Sequence, residues 1–217
     1  MKAFAARRPV FGGPALALVF AGLTVGCTHE YQITPTFQKS LAGLPQRRVC
    51  AQGESIQVAV VHESPAPLEA GRVQAGIHTF KHQFDRDPAL ALQEGLTAAL
   101  RDVGCATSGP ATTSLRVELV SMEAHGQACG FTSCDGTAAA NVSVTLKDAT
   151  GEVLSREHIS TAANDDCGMT FCSEEETSRL ATQALSEAVG KAVLAIGAGL
   201  SKRPVVVPLA AAPQPGT

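Results

Sequence analysis

Ile56, Val58 and Val60 alternate with Gln57, Ala59 and Val61 between Gly53 and Pro65, and a β-branched run bounded in this way reads as a largely buried strand. Asp87-Pro88 then supplies an N-cap and a first-turn proline, after which Leu92, Leu96, Leu100 and Val103 recur at helical spacing until Gly104. A second strand starts over Leu115 to Met122, where the apolar face changes sides between Leu119 and Val120, the mark of a bulge. From Ala140 to Lys147 the alternation is clean. Val142, Val144 and Leu146 take one face and Asn141, Ser143, Thr145 and Lys147 the other, so one sheet face is expected to be wet. The turn Asp148-Ala149-Thr150-Gly151 leads into Glu152 to Thr161 and completes an antiparallel hairpin. Ser173 with Glu176 matches a capping box, and Leu185, Val189, Ala192, Val193 and Ile196 form an apolar stripe that stops before the glycines at 197 and 199.

The order strand-helix-strand-strand-strand-helix predicts an α+β fold, a two-layer sandwich in which both helices cover one face of a mixed sheet. A right-handed crossover makes the first two strands parallel, and the hairpin adds antiparallel members. An extra edge strand is expected around Ala75 to Phe84. The folded domain is expected over residues 49–199. Residues 27–48, with Pro35, Pro45 and no sustained period, read as a tether. Residues 200–217 read as a flexible Pro/Ala-rich tail, in which Val205 to Val207 offer at most a short edge strand.

The first 26 residues have a different character. Lys2, Arg7 and Arg8 precede the eleven-residue apolar run Ala15 to Val25, which is too short for the ~20 residues of a membrane span and suits the core of a signal peptide. Thr24-Val25-Gly26-Cys27 resembles the bacterial lipobox, in which a small residue precedes a cysteine that is lipidated and becomes the new N-terminus. Leu23 lies one place further upstream than the leucine usual in that motif. The resemblance implies cleavage before Cys27, lipidation at Cys27 and anchoring in the bilayer through several acyl chains, enough for a stable hold. Thr28, in place of an aspartate, implies transport to the outer membrane, with the domain facing the periplasm.

Composition then narrows the function. The chain has 217 residues, 45% of them apolar, enough for a packed core. With 17 basic and 20 acidic residues, no tryptophan, one tyrosine and 4% aromatics, it lacks both the electrostatic footprint and the stacking platforms of a nucleic-acid binder. Residues 1–26 carry three basic and no acidic groups, so the remainder is mildly acidic.

The strand SIQVAVV, the segment LTAALRDVGC, the strand LRVELVSM and the hairpin DATGEVLS, together with the lipobox, resemble small periplasmic lipoproteins of the YajG type and, more loosely, auxiliary lipoproteins of transport systems. The resemblance spans roughly residues 20–196 as a pattern of elements. It implies an envelope location and brings no catalytic constellation with it.

Apart from Cys27 there are six cysteines: Cys50, Cys105, Cys129, Cys134, Cys167 and Cys172. An even number in an exported domain reads as a disulfide framework. Chain reversal in a strand-helix unit brings Cys50, before the first strand, to the same sheet end as Cys105, after its helix, and makes them a plausible pair. The other four belong to two echoing hexapeptides, Cys129-Gly-Phe-Thr-Ser-Cys134 and Cys167-Gly-Met-Thr-Phe-Cys172, which the hairpin should bring together at the opposite end. Three chemistries compete there: two structural disulfides, a four-thiolate zinc site and a redox dithiol. An oxidising compartment favours disulfides. Pairing within each loop closes a small ring, with Gly130 and Gly168 lending backbone freedom, and the cross-loop pairs Cys129–Cys172 and Cys134–Cys167 stand as the second choice. Redox chemistry would more naturally use Cys-x-x-Cys at a helix start, and Glu174 to Glu176 oppose a thiolate at Cys172.

His78 and His82 flank Phe80 on one face of a possible strand, a spacing able to place two imidazoles side by side for a metal, although exposed histidines on a polar strand are the commoner case. Asp165-Asp166 and Glu174 to Glu176 invite a calcium reading, which carboxylates at a helix N-terminus answer more simply. The expected function is therefore a non-enzymatic, lipid-anchored accessory module that needs no cofactor and presents a sheet edge, a polar sheet face or the cysteine loops to an envelope protein. The alternative is a thiol-redox or zinc protein using Cys129, Cys134, Cys167 and Cys172.

Overall fold

Asp87 accepts a hydrogen bond from the Ala89 N–H, and Pro88 fills the first turn of helix α1 (Pro88–Asp102). Ser173 and Glu176 close a full capping box ahead of α2 (Glu174–Leu200). The computed structural model describes residues 27–202 except 53, 65–67, 76–77, 127–133 and 169–170. Within them the strands are β1 (Cys27–Ile33), β2 (Ile56–His62), β3 (Glu69–Ala75), β4 (His78–Phe84), β5 (Thr113–Gly126), β6 (Asp135–Asp148) and β7 (Val153–Asp166).

The strands form two sheets, one in the order β2-β5-β6-β7 and the other β1-β4-β3. In the larger sheet β2 runs parallel to β5, and the β5-β6-β7 meander is antiparallel. The register of β5 on β6 slips between Leu119 and Ser121, where the apolar face changes sides in the sequence. Both helices lie on one side, so the fold is the α+β arrangement the element order implies. The core is one cluster. Leu115, Val117 and Leu119 of β5 and Val142, Val144 and Leu146 of β6 meet Leu92, Leu96 and Leu100 of α1 and Leu180, Leu185, Val189, Val193 and Ile196 of α2.

Four expectations change. The segment 75–84 is no edge strand of the main sheet: from His78 onward it is β4, the middle strand of a second sheet. The expected tether, residues 27–48, is built into the domain. Its first seven residues are β1, paired in parallel with β4, and the chain after them runs along both helices. Ile33 and Ala42 are buried, and Phe37 sits where a Cβ on Gly95 of α1 would lie 3.0 Å away. An apolar residue at every other place within a proline-interrupted stretch is easily taken for a linker, because its partners are far away in sequence.

The glycines at 197 and 199 do not stop α2, which continues to Leu200. A Cβ on Gly199 would lie 2.5 Å from the Ser155 Oγ, so this glycine lets β7 come close. Finally, the polar face of β6 is only partly wet. Ser143 is buried and Asn141, Thr145 and Lys147 are half-buried, because the small Ser143 lies between the longer Glu118 and His158 on the flanking strands. Val205 to Val207 lie outside the described residues.

Candidate functional site: the cysteine end and its ladder of rings

In β1, β4 and β3 the strand period places every second residue on one face, and the register joins them into rungs. From the core outward these are Ile33 with Phe84, then Tyr31 with His82, then His29 with Phe80, and last Cys27 with His78. Ile33 and Phe84 are fully buried, Phe80 and His82 are nearly so, and Cys27 is exposed. Packing within the ladder is ring on ring. Tyr31 stacks on His82 at 5.1 Å between centroids and His29 on Phe80 at 5.0 Å, while the His29 Nε2 and His78 Nδ1 are 3.1 Å apart. The chain's single tyrosine is thus part of this site.

The loop before α2 closes over the ladder. Phe171 packs on Phe80 at 4.3 Å and is itself 42% exposed. Cys167 and Cys172 are joined by a disulfide on a floor made by two glycines in register, Gly126 of β5 and Gly136 of β6. A Cβ on Gly136 would meet the Leu180 Cδ1 at 2.7 Å and the Cys172 Sγ at 3.0 Å, and one on Gly126 would meet the Cys172 Cβ at 3.1 Å. Gly168 has φ +76° and takes the tight turn.

Cys134 is buried and disulfide-bonded, and its backbone extends the β6-β7 ladder: its N–H donates to the Gly168 carbonyl, and its carbonyl accepts from the Cys167 N–H, both at 2.7 Å. Cys129 lies outside the described residues. The Cys167–Cys172 bond rules out both cross-loop pairs. At the far end of the sheet, Cys50 and Cys105 are bonded with their Cα atoms 5.0 Å apart. Among the described cysteines, only Cys27 is free.

His78 and His82 share a face, but they do not face each other. Phe80 separates them, His78 meets His29, and His82 turns to His125 of β5 at 6.4 Å between centroids. Burial, and to a smaller extent the neighbouring His125, lower the pKa of His82 to about 4, so the ring is neutral at pH 7; Glu174 opposes the shift only weakly. The Nδ1 atoms of His82 and His125 are both buried without a hydrogen-bond partner. Gly71 of β3 crosses directly above, where a Cβ would lie 2.7 Å from the His125 ring.

The carboxylates have structural work of their own. Asp165 pairs with Arg179, Asp166 accepts from the Gly168 N–H, Glu174 accepts from the Gln32 N–H and Glu176 belongs to the capping box. The hydrogen bond to Glu174 begins a series. The backbone N–H groups of Gln32, Thr34, Thr36 and Gln38 donate in turn to the side chains of Glu174, Ser178, Thr182 and Ser186, one helical row of α2 at i, i+4 spacing. Gly190 ends the row, where a Cβ would fall 1.5 Å from the Ala42 carbonyl oxygen. The row is not among the expectations from the sequence. Its signal is the row Glu174, Ser178, Thr182 and Ser186 at i, i+4 spacing, which lies apart from both the apolar stripe and the charged row of Arg179, Gln183, Glu187 and Lys191.

No protein-family model matches the chain, and no curated protein resembles it in sequence. Solved structures do. A Xanthomonas campestris protein of the DUF330 family superposes with a TM-score of 0.54 at 12% identity, over 80% of this chain and 98% of that one. A candidate lipoprotein from Caulobacter crescentus gives 0.43 at 16% identity, over 69% and 93%, and a minor lipoprotein from Acinetobacter baumannii gives 0.43 at 10%, over 68% and 92%. At such identities the likeness to the Xanthomonas protein is one of fold.

Proposed function

We propose that this is a cell-envelope lipoprotein, acylated at Cys27 after removal of residues 1–26 and carried to the outer membrane. Its domain serves there as a non-enzymatic accessory module for an envelope protein. The observation that carries the reading is the state of Cys27: it is exposed and unpaired, it opens the first strand, and it follows an apolar run of signal-peptide length. Among the described residues no helix is long and apolar enough to cross a bilayer, and several acyl chains on Cys27 would give a stable hold on one. The chemistry-bearing groups at the cysteine end are occupied with holding the fold, since the Cys167 and Cys172 sulfurs are bonded to each other and His82 and His125 are packed between sheets. The polar face of the larger sheet, with Arg116, Ser160 and Ala162 exposed, is the surface offered to a partner.

Metabolic labelling with an alkyne fatty acid tests the assignment. The wild-type chain is expected to take up label, and Cys27→Ser is expected to lose it and to accumulate as the uncleaved precursor. Unchanged labelling of the variant overturns the reading.

A further inference from the structure

Among the described residues only two buried side-chain nitrogen or oxygen atoms lack a hydrogen-bond partner, and they belong to one pair of neighbours: the Nδ1 atoms of His82 on β4 and His125 on β5. An orphaned polar atom inside a protein costs free energy, and two on adjacent rings call for a common cause, of which a bound ion is one. The Nε2 atoms of the same rings are not orphaned in this way. Hydrogen on Nε2 avoids a buried N–H without an acceptor, and that tautomer leaves both Nδ1 lone pairs inside. Each sheet thus contributes one nitrogen lone pair to the seam between them.

The spacing suits a single atom between the rings. In the exposed pair His29 and His78 the ring centroids are 5.3 Å apart and two nitrogens come to 3.1 Å, the length of a hydrogen bond. His82 and His125 have their centroids 6.4 Å apart, so rings turned head-on would leave about 4.2 Å between the Nδ1 atoms. That is too far for a direct bond and is twice the ~2 Å from an imidazole nitrogen to a metal ion.

The surroundings select the ion. Among the described residues no third His, Cys, Asp or Glu completes a set of ligands with the pair, so an ion that needs four or more, such as zinc or calcium, is poorly matched. The carboxylate that favours positive charge at His82 is that of Glu174, at the head of α2, and one carboxylate offsets one charge. Cu(I) carries a single charge, is at home on imidazole and accepts two ligands in a line. An open cleft of about 470 Å³ between Glu69, Gly71 and Lys81 reaches His82 from the surface and gives the ion a way in.

We propose that His82 and His125 bind one Cu(I) ion through their Nδ1 atoms, and that the ion joins the smaller sheet to the larger. The site does not depend on acylation of Cys27, and it adds a ligand to a domain read above as an accessory module.

The test uses the full chain with its disulfides formed and with Cys27→Ser, so that this thiol does not compete for a soft ion. Cu(I) kept reduced by ascorbate is titrated against a chromogenic Cu(I) chelator, and Ag(I), which has the same charge and the same linear preference, is followed by nitrogen NMR of the histidine rings in chloride-free buffer. One ion per chain is expected, with the Nδ1 signals of His82 and His125 moving on the first equivalent while those of His29, His62, His78 and His158 stay. His82→Phe and His125→Phe are each expected to weaken uptake by at least about 100-fold, the upper end of what changes around a metal site cost, and His29→Phe to leave it unchanged. The NMR measurement needs neither Phe variant and decides the matter if one of them fails to fold. Movement at His29 and His78 in place of His82 and His125 overturns the proposal, as does zinc held by the same pair as tightly as Cu(I). Absence of uptake overturns it too, and assigns the two lone pairs to water.

Discussion

The two sheets lean on the same helix by different means. Strands β5, β6 and β7 are 14 residues long and give α2 a continuous aliphatic face. The strands of the smaller sheet are half that length, and only Ile33, Phe84 and Ala70 from them join the core. Beyond these residues the small sheet is held by stacked rings and by backbone N–H groups bonded to side chains of α2. Apolar burial stabilises by roughly 25 cal/mol per Å² and is indifferent to pH, whereas rings containing buried histidines and bonds to single hydroxyls depend on protonation and on individual atoms. The larger sheet should therefore tolerate conditions that loosen the smaller one, and the Cys50–Cys105 and Cys167–Cys172 disulfides should matter unequally as well.

The sharpest break in that comparison comes from the cysteines. Cys50 and Cys105 are 55 residues apart, and closing so large a loop stabilises by about 4 kcal/mol, against about 2 kcal/mol for the five-residue separation of Cys167 and Cys172. Cys50→Ala with Cys105→Ala is expected to lower Tm by roughly 8–16 °C, and Cys167→Ser with Cys172→Ser by about half as much. Calorimetry under non-reducing conditions measures both. Equal losses would mean that the glycine-floored loop contributes more than ring closure.

Acid should separate the two sheets next. His82 in the folded protein has its pKa lowered to about 4 from 6.5. As the pH falls below 6.5 the unfolded chain takes up a proton that the folded one refuses until about pH 4, so stability declines across that window and levels off below it. The loss at pH 4 is about 3 kcal/mol, of the size a shift between these two pKa values implies. The groups around the ring are Tyr31, His125 and Glu174, and among these only Glu174 favours the charged form. His82→Phe keeps an aromatic ring under Tyr31 and is expected to flatten the decline, as urea melts at pH 7 and pH 4.5 would show. An unchanged slope would assign the acid sensitivity to other groups.

Legibility in the sequence follows the same division. The elements of the larger sheet carry period-2 and period-3.6 patterns over eight or more residues with caps at Asp87 and Ser173, and local pattern is enough to place them. The bulge at Val120 is visible because a change of face leaves a phase shift in that pattern. The smaller sheet leaves no such trace. Tyr31 and His82 are polar by composition yet turn inward, and His29 and His78 lie on the same face nearer the tip, since a ring can bury its apolar surface against another ring. Their partners also lie about fifty residues away, as Cys27 does from His78. Gly126 and Gly136 likewise look like turn residues until the disulfide above them is seen. At Gly190 and Gly199, too, what matters is the close approach of another segment, and a single sequence does not contain it.

Gly190→Ala tests how firmly the N-terminal segment is seated. The added methyl cannot share space with the Ala42 carbonyl 1.5 Å away, so either the segment lifts or α2 shifts against the sheet. Overpacking of this kind costs about 1–3 kcal/mol. The expected outcome is release of the segment with the larger sheet intact, read as faster tryptic cleavage after Arg47 and Arg48 and an unchanged far-ultraviolet spectrum. Cleavage at the wild-type rate would show that the seat can adjust.

The gentlest change acts on one hydroxyl, which meets both the N–H and the Oγ1 of Thr36. Thr182 is buried in the middle of the row, and its Oγ1 accepts from the Thr36 N–H at 3.1 Å. Thr182→Val keeps the shape, replaces the hydroxyl with a methyl and leaves that N–H without its acceptor in a partly buried place. The cost of such an orphaned donor is about 1 kcal/mol, the low end for a group that water can still reach. Because the N–H groups of Thr34 and Gln38 keep Ser178 and Ser186, the segment should stay in place, with faster hydrogen exchange confined to the amides around Thr36. Exchange measured residue by residue therefore distinguishes two kinds of seat. A rise limited to Thr36 means that each bond holds independently, and a rise from Gln32 through Ala42 means that the row closes as a unit. Independent bonds are the expected result, since the four acceptors are separate side chains one helical turn apart and do not bond to one another.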